Sequence, residues 1–100
     1  MGWLSDALKA LSNGESVQVR PQGGSMRGRI ESGQLVTIEP LGPRAVCVND
    51  VVLVRWKGSH ILHIVKEVRG DAILIGNNIG RINGWARLSD VIGLVTGVRD

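Results

Sequence analysis

The spacing of apolar residues changes once along the chain, from a helical period near the N-terminus to alternation beyond it. Five apolar residues stand at helical spacing over residues 3–12, namely Trp3, Leu4, Ala7, Leu8 and Leu11. This spacing predicts a short amphipathic helix, and Asn13-Gly14 supplies its stop. We therefore expect an N-terminal amphipathic helix over residues 1–14, followed by a single β domain over residues 15–100.

Six candidate strands follow the helix, because apolar residues then recur with a period near two. They are VQVR at 17–20, QLVTIEPL at 34–41, VVLVRW at 51–56, HILHIVKEV at 60–68, AILIG at 72–76 and VIGLVTGV at 91–98. Short connections such as Lys57-Gly58-Ser59 favour antiparallel hairpins. The segment 77–89, NNIGRINGWARLS, is rich in glycine and asparagine and is interpreted as a loop. The predicted fold is mainly β: a small, strongly coiled, mostly antiparallel β-sheet with one short N-terminal helix.

The composition supports a β fold and narrows the range of partners. Hydrophobic residues make up 43% of the chain and include neither Phe nor Tyr, so the core must come mainly from Val, Ile and Leu. The β-branched members of that set suit pleated sheets. The net charge is +3, but the basic side chains are scattered and no aromatic residues interleave them. This distribution argues against direct nucleic-acid binding.

Metal, cofactor and membrane functions find little support in the sequence. Cys47 is the one cysteine, so no internal disulfide forms, and the two histidines come with no acidic cluster. We therefore expect no metal ion and no cofactor. No apolar run approaches the roughly 18 residues of a membrane span, and no secretory signal begins the chain. The expected protein is soluble and cytoplasmic, without an integral membrane segment. Interfacial membrane binding by the N-terminal helix is the alternative, and it would be weak because Lys9 is the one cationic side chain of that helix.

The stretch RPQGGSMRGR, residues 20–29, raises a question of chemistry. Its serine, Ser25, follows two glycines and is either an ordinary turn residue or a nucleophile. A serine becomes a nucleophile only when a neighbouring base takes its proton. The candidate bases are His60, His63 and Lys66, which all stand in one predicted strand.

Alternation along that strand separates the candidate bases. His63 shares one face with Ile61 and Val65, whereas Lys66 lies on the other. A regular strand therefore cannot point both His63 and Lys66 at the serine. Among apolar neighbours, His63 is expected to be a neutral imidazole able to accept a proton, while Lys66 is expected to face solvent. From the residues alone, a core histidine and a turn serine remain the simpler interpretation.

Six segments in a fixed order change this interpretation. They are Gly24-Ser25-Met26, SGQLVTIEP, NDVVLVR, ILHIVKEV, ILIGNN and DVIGLVTGV. The order resembles that of the serine-dependent peptidases that include the signal peptidases and the self-cleaving LexA-type repressors. The resemblance runs from Gly23 to Val98, nearly the whole chain beyond the helix. It implies the fold of that family and a hydrolase of the serine peptidase type.

The resemblance assigns a role to each matching residue. Ser25 stands in the place of the nucleophile, and Met26 in that of the residue packed beneath it. His63 stands in the place of the base, in the His form found in signal peptidases of the endoplasmic-reticulum and archaeal type. The resemblance further implies that Gly23 and Gly24 let a substrate backbone approach closely and that Met26 belongs to the substrate-binding region. The backbone N–H of Ser25 would be one donor to the oxyanion.

The sequence departs from the family pattern at several positions. Asn77 stands in the place of the acid expected in the late Gly-Asp-Asn segment, and Asn83 in that of a second acid. Gly28 lies in the stretch where a proline is usual. An asparagine can orient a histidine through its amide oxygen, which makes Asn77 a candidate catalytic residue with Ser25 and His63. It offers no charge to stabilise an imidazolium.

Two functions from different classes follow. The first is a soluble serine endopeptidase-like domain that cleaves a protein or peptide bound as an extended strand, with Ser25 as nucleophile and His63 as general base. The alternative is a non-catalytic binding or dimerisation module of the same fold, related to phage-repressor C-terminal domains. In either case, we expect the strand at 17–20 to lie at a sheet edge and to offer backbone groups to a substrate strand or to a second copy in a homodimer.

Overall fold

The structure, a computed structural model, describes residues 3–21, 26, 28–42 and 45–100. Within these residues the chain forms one helix, a short 3-10 turn at Leu88–Asp90 and seven strands. The helix α1 spans Trp3–Ser12, and the strands are β1 Val17–Val19, β2 Leu35–Pro40, β3 Val51–Trp56, β4 Ser59–Arg69, β5 Ala72–Gly76, β6 Ile82–Arg87 and β7 Val91–Arg99. The predicted mainly β fold with one short N-terminal helix is confirmed.

The predicted helix stop is formed by backbone hydrogen bonds around Gly14. The N–H of Gly14 donates to the carbonyl of Leu11 at 3.1 Å, and the N–H of Glu15 donates to the carbonyl of Ala10 at 2.9 Å. This pair of bonds is a Schellman motif, which requires a left-handed residue after the helix. Gly14 adopts that conformation with φ +76° and no Cβ penalty. The helix then lays Ala7 and Leu11 onto the sheet.

All seven strands belong to one antiparallel sheet with the order β1-β2-β7-β3-β4-β5-β6. Strands β3 to β6 form a meander, and the last strand, β7, returns to pair with both β2 and β3. The two sheet edges are therefore β1 and β6. The prediction that the strand beginning at residue 17 lies at an edge is confirmed.

The segment 77–89, predicted to be a loop, contains the edge strand β6 instead. Its alternation is hidden in the sequence because the pairing with β5 shifts between Ile75 and Gly76, which face Gly84 and Ile82. Asn83 is the extra residue of this bulge. Gly84 has φ +147° and lies under the ring of Trp56, where an added Cβ would stand 3.0 Å from the indole. Glycine is thus required by close packing here, and its presence does not mark a loop.

Two hydrophobic clusters lie on opposite faces of the sheet. The helix-side cluster comprises Ala7, Leu11, Val19, Met26, Ile30, Val36, Ile38, Val51, Leu53, Leu62 and Ile64. The far-side cluster comprises Val46, Val52, Val54, Val65, Ile73, Ile75, Ala86 and Val91. Strands β3 and β4 supply alternate residues to the two clusters, so both of their faces are buried. This explains why their sequences contain continuous apolar runs. Register shifts in four of the strand pairings bend the sheet.

Candidate functional site

The residue that follows the candidate nucleophile is anchored in the core. Ser25, Gly23 and Gly24 themselves lie outside the described residues. Met26 is 5% exposed and belongs to the helix-side cluster, together with Leu62 and Ile64. Leu62 and Ile64 flank His63 in β4. Met26 therefore packs on the face of β4 opposite to that of the His63 side chain, and its burial leaves it little surface to offer a substrate.

His63 is buried at 8% exposure in the middle of β4, where it pairs with Val52 of β3. Alternation places its side chain on the face of Ile61 and Val65, opposite to that of Leu62 and Ile64. Its Nδ1 contacts the backbone carbonyl oxygen of Leu62. A carbonyl has no proton to give, so this contact requires the proton on Nδ1. In the neutral ring, Nε2 then carries the lone pair that a general base needs.

Lys66 departs from the predicted regular alternation. The pairing of β4 with β5 shifts between Val65 and Glu67, which leaves Lys66 as a bulge residue. Its side chain is half-buried, and its Cε lies 3.1 Å from where a Cβ on Gly76 would stand. The expectation that Lys66 simply faces solvent is therefore wrong. Its stem approaches β5 at Gly76, one step along the ladder from the register position of His63.

Asn77 lies across from His63 in the register of β5 and β4. The last pair of β4 with β5 joins Ile64 to Gly76, so one further step in the same register sets His63 opposite Asn77. Asn77 is buried at 7% exposure. Its Oδ1 accepts the N–H of Ile79 at 3.0 Å and that of Arg81 at 2.9 Å. The backbone N–H of Asn77 donates to the Arg81 carbonyl at 2.9 Å.

The predicted role of the Asn77 oxygen is therefore wrong. An amide oxygen has two lone pairs, and both are occupied by loop N–H groups. Asn77 closes the loop 77–81 and presents no second acceptor through Oδ1. Nor does the Asn83 oxygen bond to the imidazole: it is buried at the β6 bulge and has no hydrogen-bond partner within the described residues. The ring is instead oriented by the Leu62 carbonyl.

The segment after Ser25 contacts the same loop. A Cβ on Gly28 would stand 2.7 Å from Nδ2 of Asn78, so these two residues touch. Gly28 has φ +94°, a backbone conformation that proline cannot adopt. Arg29 Nη2 donates to the carbonyl of Asn49 at 3.0 Å. The segment is thus fixed between two loops.

Both loops border β4 beside His63. Asn49 donates its N–H to the carbonyl of Val65 at 2.8 Å, and Val65 donates to the carbonyl of Asp50 at 2.9 Å. The loop 77–81 continues β5 past its last pair with β4. The structure therefore brings three separated parts of the sequence to one end of the β4–β5 ladder. Sequence reasoning missed both loop contacts; the signal for one of them was an asparagine directly after a strand, a common start of an Asx-type turn.

Neither the protein-family models nor the curated proteins with which the chain was compared match it. In the part of the chain that the structure describes, no helix has the length and apolar character to cross a membrane. The same residues contain no group of three or more His, Cys, Asp or Glu side chains placed to hold a metal ion.

Proposed function

We propose that this protein is a serine hydrolase of the peptidase type, with Ser25 as nucleophile and His63 as general base. Its substrate is a protein or peptide bound as an extended strand. The observation that carries the proposal is the His63 ring: a buried imidazole with Nδ1 on a backbone carbonyl and Nε2 as the remaining acceptor. The contact of Gly28 with Asn78, at the end of the β4–β5 ladder where His63 lies, supports it.

The reaction divides into two steps, and the proton moves through one atom in both. His63 Nε2 takes the proton of the Ser25 hydroxyl as Oγ bonds to the substrate carbonyl carbon. The protonated ring then gives that proton to the leaving amine, and the acyl group remains on Oγ. In the second step, water is deprotonated by Nε2, attacks the acyl carbon and releases the acid, with the proton returning to Oγ. The backbone N–H of Ser25 supports the negative oxygen of each tetrahedral intermediate.

The hydrogen-bond partner of His63 Nδ1 should limit the rate of this reaction. The Leu62 carbonyl accepts a hydrogen bond from Nδ1 but carries no full charge. A carboxylate in that position stabilises the imidazolium formed in each step, and its loss slows serine proteases greatly. We therefore expect slow turnover, with formation of the acyl group detectable more readily than its hydrolysis.

The non-catalytic binding or dimerisation module remains the second candidate, and one observation favours it. Asn77, at the position facing His63, uses its oxygen to close a loop, which is a structural role. A histidine oriented by its own backbone would then be a satisfied core residue. Reactivity of the serine separates these two functions directly.

The test is covalent labelling with a small fluorophosphonate, which reacts with activated serine hydroxyls. Intact-mass analysis should show a single adduct, and peptide mapping should locate it on Ser25. Ser25→Ala should remove the adduct, whereas Ser59→Ala, at an exposed serine of the β3–β4 turn, should leave it unchanged. If the folded protein gives no adduct at Ser25 after prolonged exposure to the probe, the hydrolase proposal fails and the binding module is the function that remains.

A further inference from the structure

The edge strand β6 carries an exposed apolar strip. Ile82 and Trp85 are about half exposed, and Ile79, in the loop before β6, is more exposed still. These side chains are large, and their exposure in one continuous stretch is unusual for a surface with no partner. Within the described residues, β6 pairs with β5 alone. Its outer side therefore presents unpaired backbone N–H and C=O groups beside the strip.

The other edge of the sheet is built differently. Strand β1 has three residues, Val17–Val19, and is followed by Pro21, which has no N–H to donate. It exposes Gln18 and packs against α1. Strand β6 is twice as long and exposes apolar side chains. The sequence predicted that a partner strand adds to the edge at 17–20. The exposed side chains make β6 the better edge for such a strand.

Two exposed arginines determine which kind of peptide the β6 edge should prefer. Arg81, directly before β6, and Arg87, its last residue, are exposed and stand six residues apart. Beside Arg87 lies a surface cavity of about 550 Å³ lined by Leu41, Gly42, Asp71, Arg87, Leu88 and Ser89. A strand on this edge would meet a guanidinium at each end and apolar side chains between them.

We propose that β6 binds an extended peptide segment that has an apolar centre and an acidic residue near each end. The peptide adds an eighth strand by backbone hydrogen bonds, which supply affinity independent of sequence, while Arg81 and Arg87 select for acidic ends. The cavity beside Arg87 receives one side chain of the peptide. This inference stands on β6 and is independent of Ser25 and His63.

A second copy of the chain fits this edge poorly. Antiparallel pairing of two β6 strands would bring four arginines to one seam, where like charges repel. It would also bury roughly 400 Å² of each partner along about 20 Å of edge, half of the roughly 800 Å² typical of a stable interface. A lipid surface would cover the apolar strip but could not pair the backbone groups of the edge.

The probe is the peptide acetyl-Glu-Thr-Val-Thr-Val-Thr-Glu-amide, whose glutamates stand six residues apart, as the two arginines do. Its glutamates and valines share one face, as Arg87 and Trp85 share one face of β6. Binding is measured by calorimetry and by chemical-shift changes of the Trp85 indole, using the Ser25→Ala variant so that no turnover consumes the peptide. We expect a dissociation constant near 100 μM. The same peptide with lysine at both ends should bind at least about tenfold more weakly. A version with N-methyl groups along one edge should not bind.

Matched variants locate the site. Ile82→Lys should abolish binding, because a lysine on an edge strand blocks strand addition. Val98→Lys is the control, since Val98 is also an exposed apolar side chain and lies in β7, which pairs with β2 and β3 and not with β6. The double variant Arg81→Glu, Arg87→Glu should reverse the preference from the acidic to the lysine-ended peptide.

Several results would overturn the proposal. One is equal binding of the acidic and lysine-ended peptides, and another is binding that survives Ile82→Lys. Absence of binding of any peptide by the folded protein would do the same. Self-association that Ile82→Lys abolishes would assign the edge to a second copy, and vesicle binding without peptide binding would assign it to a membrane surface.

Discussion

The two ends of the β4–β5 ladder use the same two strands in opposite ways. At the turn end, Arg69 pairs with Ala72, and the polar groups there are exposed: Arg69 contacts the Glu67 carboxylate and lies 5.4 Å from the ring centre of Trp85. At the other end the ladder stops at Gly76, and the polar side chains of His63 and Asn77 are buried.

This difference in burial shows which polar side chains need an explanation. A polar side chain at an exposed turn stays hydrated and costs little, whereas a buried one costs free energy unless it is hydrogen-bonded. Asn77 meets that requirement at its oxygen through two loop N–H groups, and His63 meets it at Nδ1 through the Leu62 carbonyl. The other ring nitrogen of His63, Nε2, is the atom to which the proposed catalytic role gives a function.

The largest loss of stability should come from a substitution at Gly76, and Gly70 at the turn end is its control. Gly76→Ala would place a Cβ 2.4 Å from the backbone oxygen of Arg81, which cannot move without opening the loop 77–81. We expect a loss of about 3 kcal/mol in the free energy of unfolding. Gly70→Ala, at the turn end, has no atom within 4 Å of the new Cβ and costs only the left-handed φ of +56°, about 1 kcal/mol. Urea unfolding of both variants measures the contrast. Equal losses would show that the two ends are packed alike.

A smaller loss is expected from Asn77→Ala. This substitution leaves the N–H groups of Ile79 and Arg81 without their acceptor, at a cost of about 2 kcal/mol. Asn77→Asp keeps an oxygen in the same place and should lose less than half as much. If Asn77→Ala is as stable as the natural protein in urea unfolding, the loop contacts are not what hold this end together.

Asn77→Asp should also change reactivity. One carboxylate oxygen would stay on the loop N–H groups, while the other replaces the amide nitrogen at the register position facing His63. The added charge stabilises the imidazolium, so labelling of Ser25 should accelerate by about one to two orders of magnitude. The double variant Asn77→Asp, His63→Ala is the control and should show no acceleration. An unchanged rate in Asn77→Asp would separate Asn77 from the chemistry of His63.

The smallest effect belongs to the exposed turn end. Glu67→Gln removes the charge that contacts Arg69, and both side chains are well exposed. Surface ion pairs contribute little, so the free energy of unfolding should change by less than about 0.5 kcal/mol and labelling of Ser25 should not change. A larger loss of stability would mean that the turn end is more than a hydrated surface.

The sequence predicted most of the sheet because its signals were local. Alternation or unbroken apolar runs marked β1 to β5 and β7, and the helix ended at Asn13-Gly14 as expected. Strand β6 was missed because the bulge at Asn83 interrupts its alternation and because Gly84, which packs under Trp56, suggested a loop. The bulge at Lys66 was equally invisible, since a shift of register depends on the partner strand.

The candidate site could be predicted in its residues but not in its hydrogen bonds. Burial of His63 followed from its apolar neighbours in β4. The use of the Asn77 oxygen could not be foreseen, because it depends on the path of the loop 77–81 and on where the N–H groups of Ile79 and Arg81 point. The contact of Gly28 with Asn78 joins residues 50 positions apart, which no local pattern can reveal.

The measurement that tests the central claim most directly is the rate of fluorophosphonate labelling of Ser25 in the natural protein, His63→Ala and His60→Ala. His60 is the matched control, because it lies three residues away in the same strand, pairs with Arg55 and is only half-buried. A general base is needed to take the proton of the serine hydroxyl, so removing it should slow labelling. His60→Ala should keep the rate of the natural protein, whereas His63→Ala should lose at least about 100-fold in rate. Equal rates in the two histidine variants, with both proteins folded, would contradict the assignment of His63 as the base.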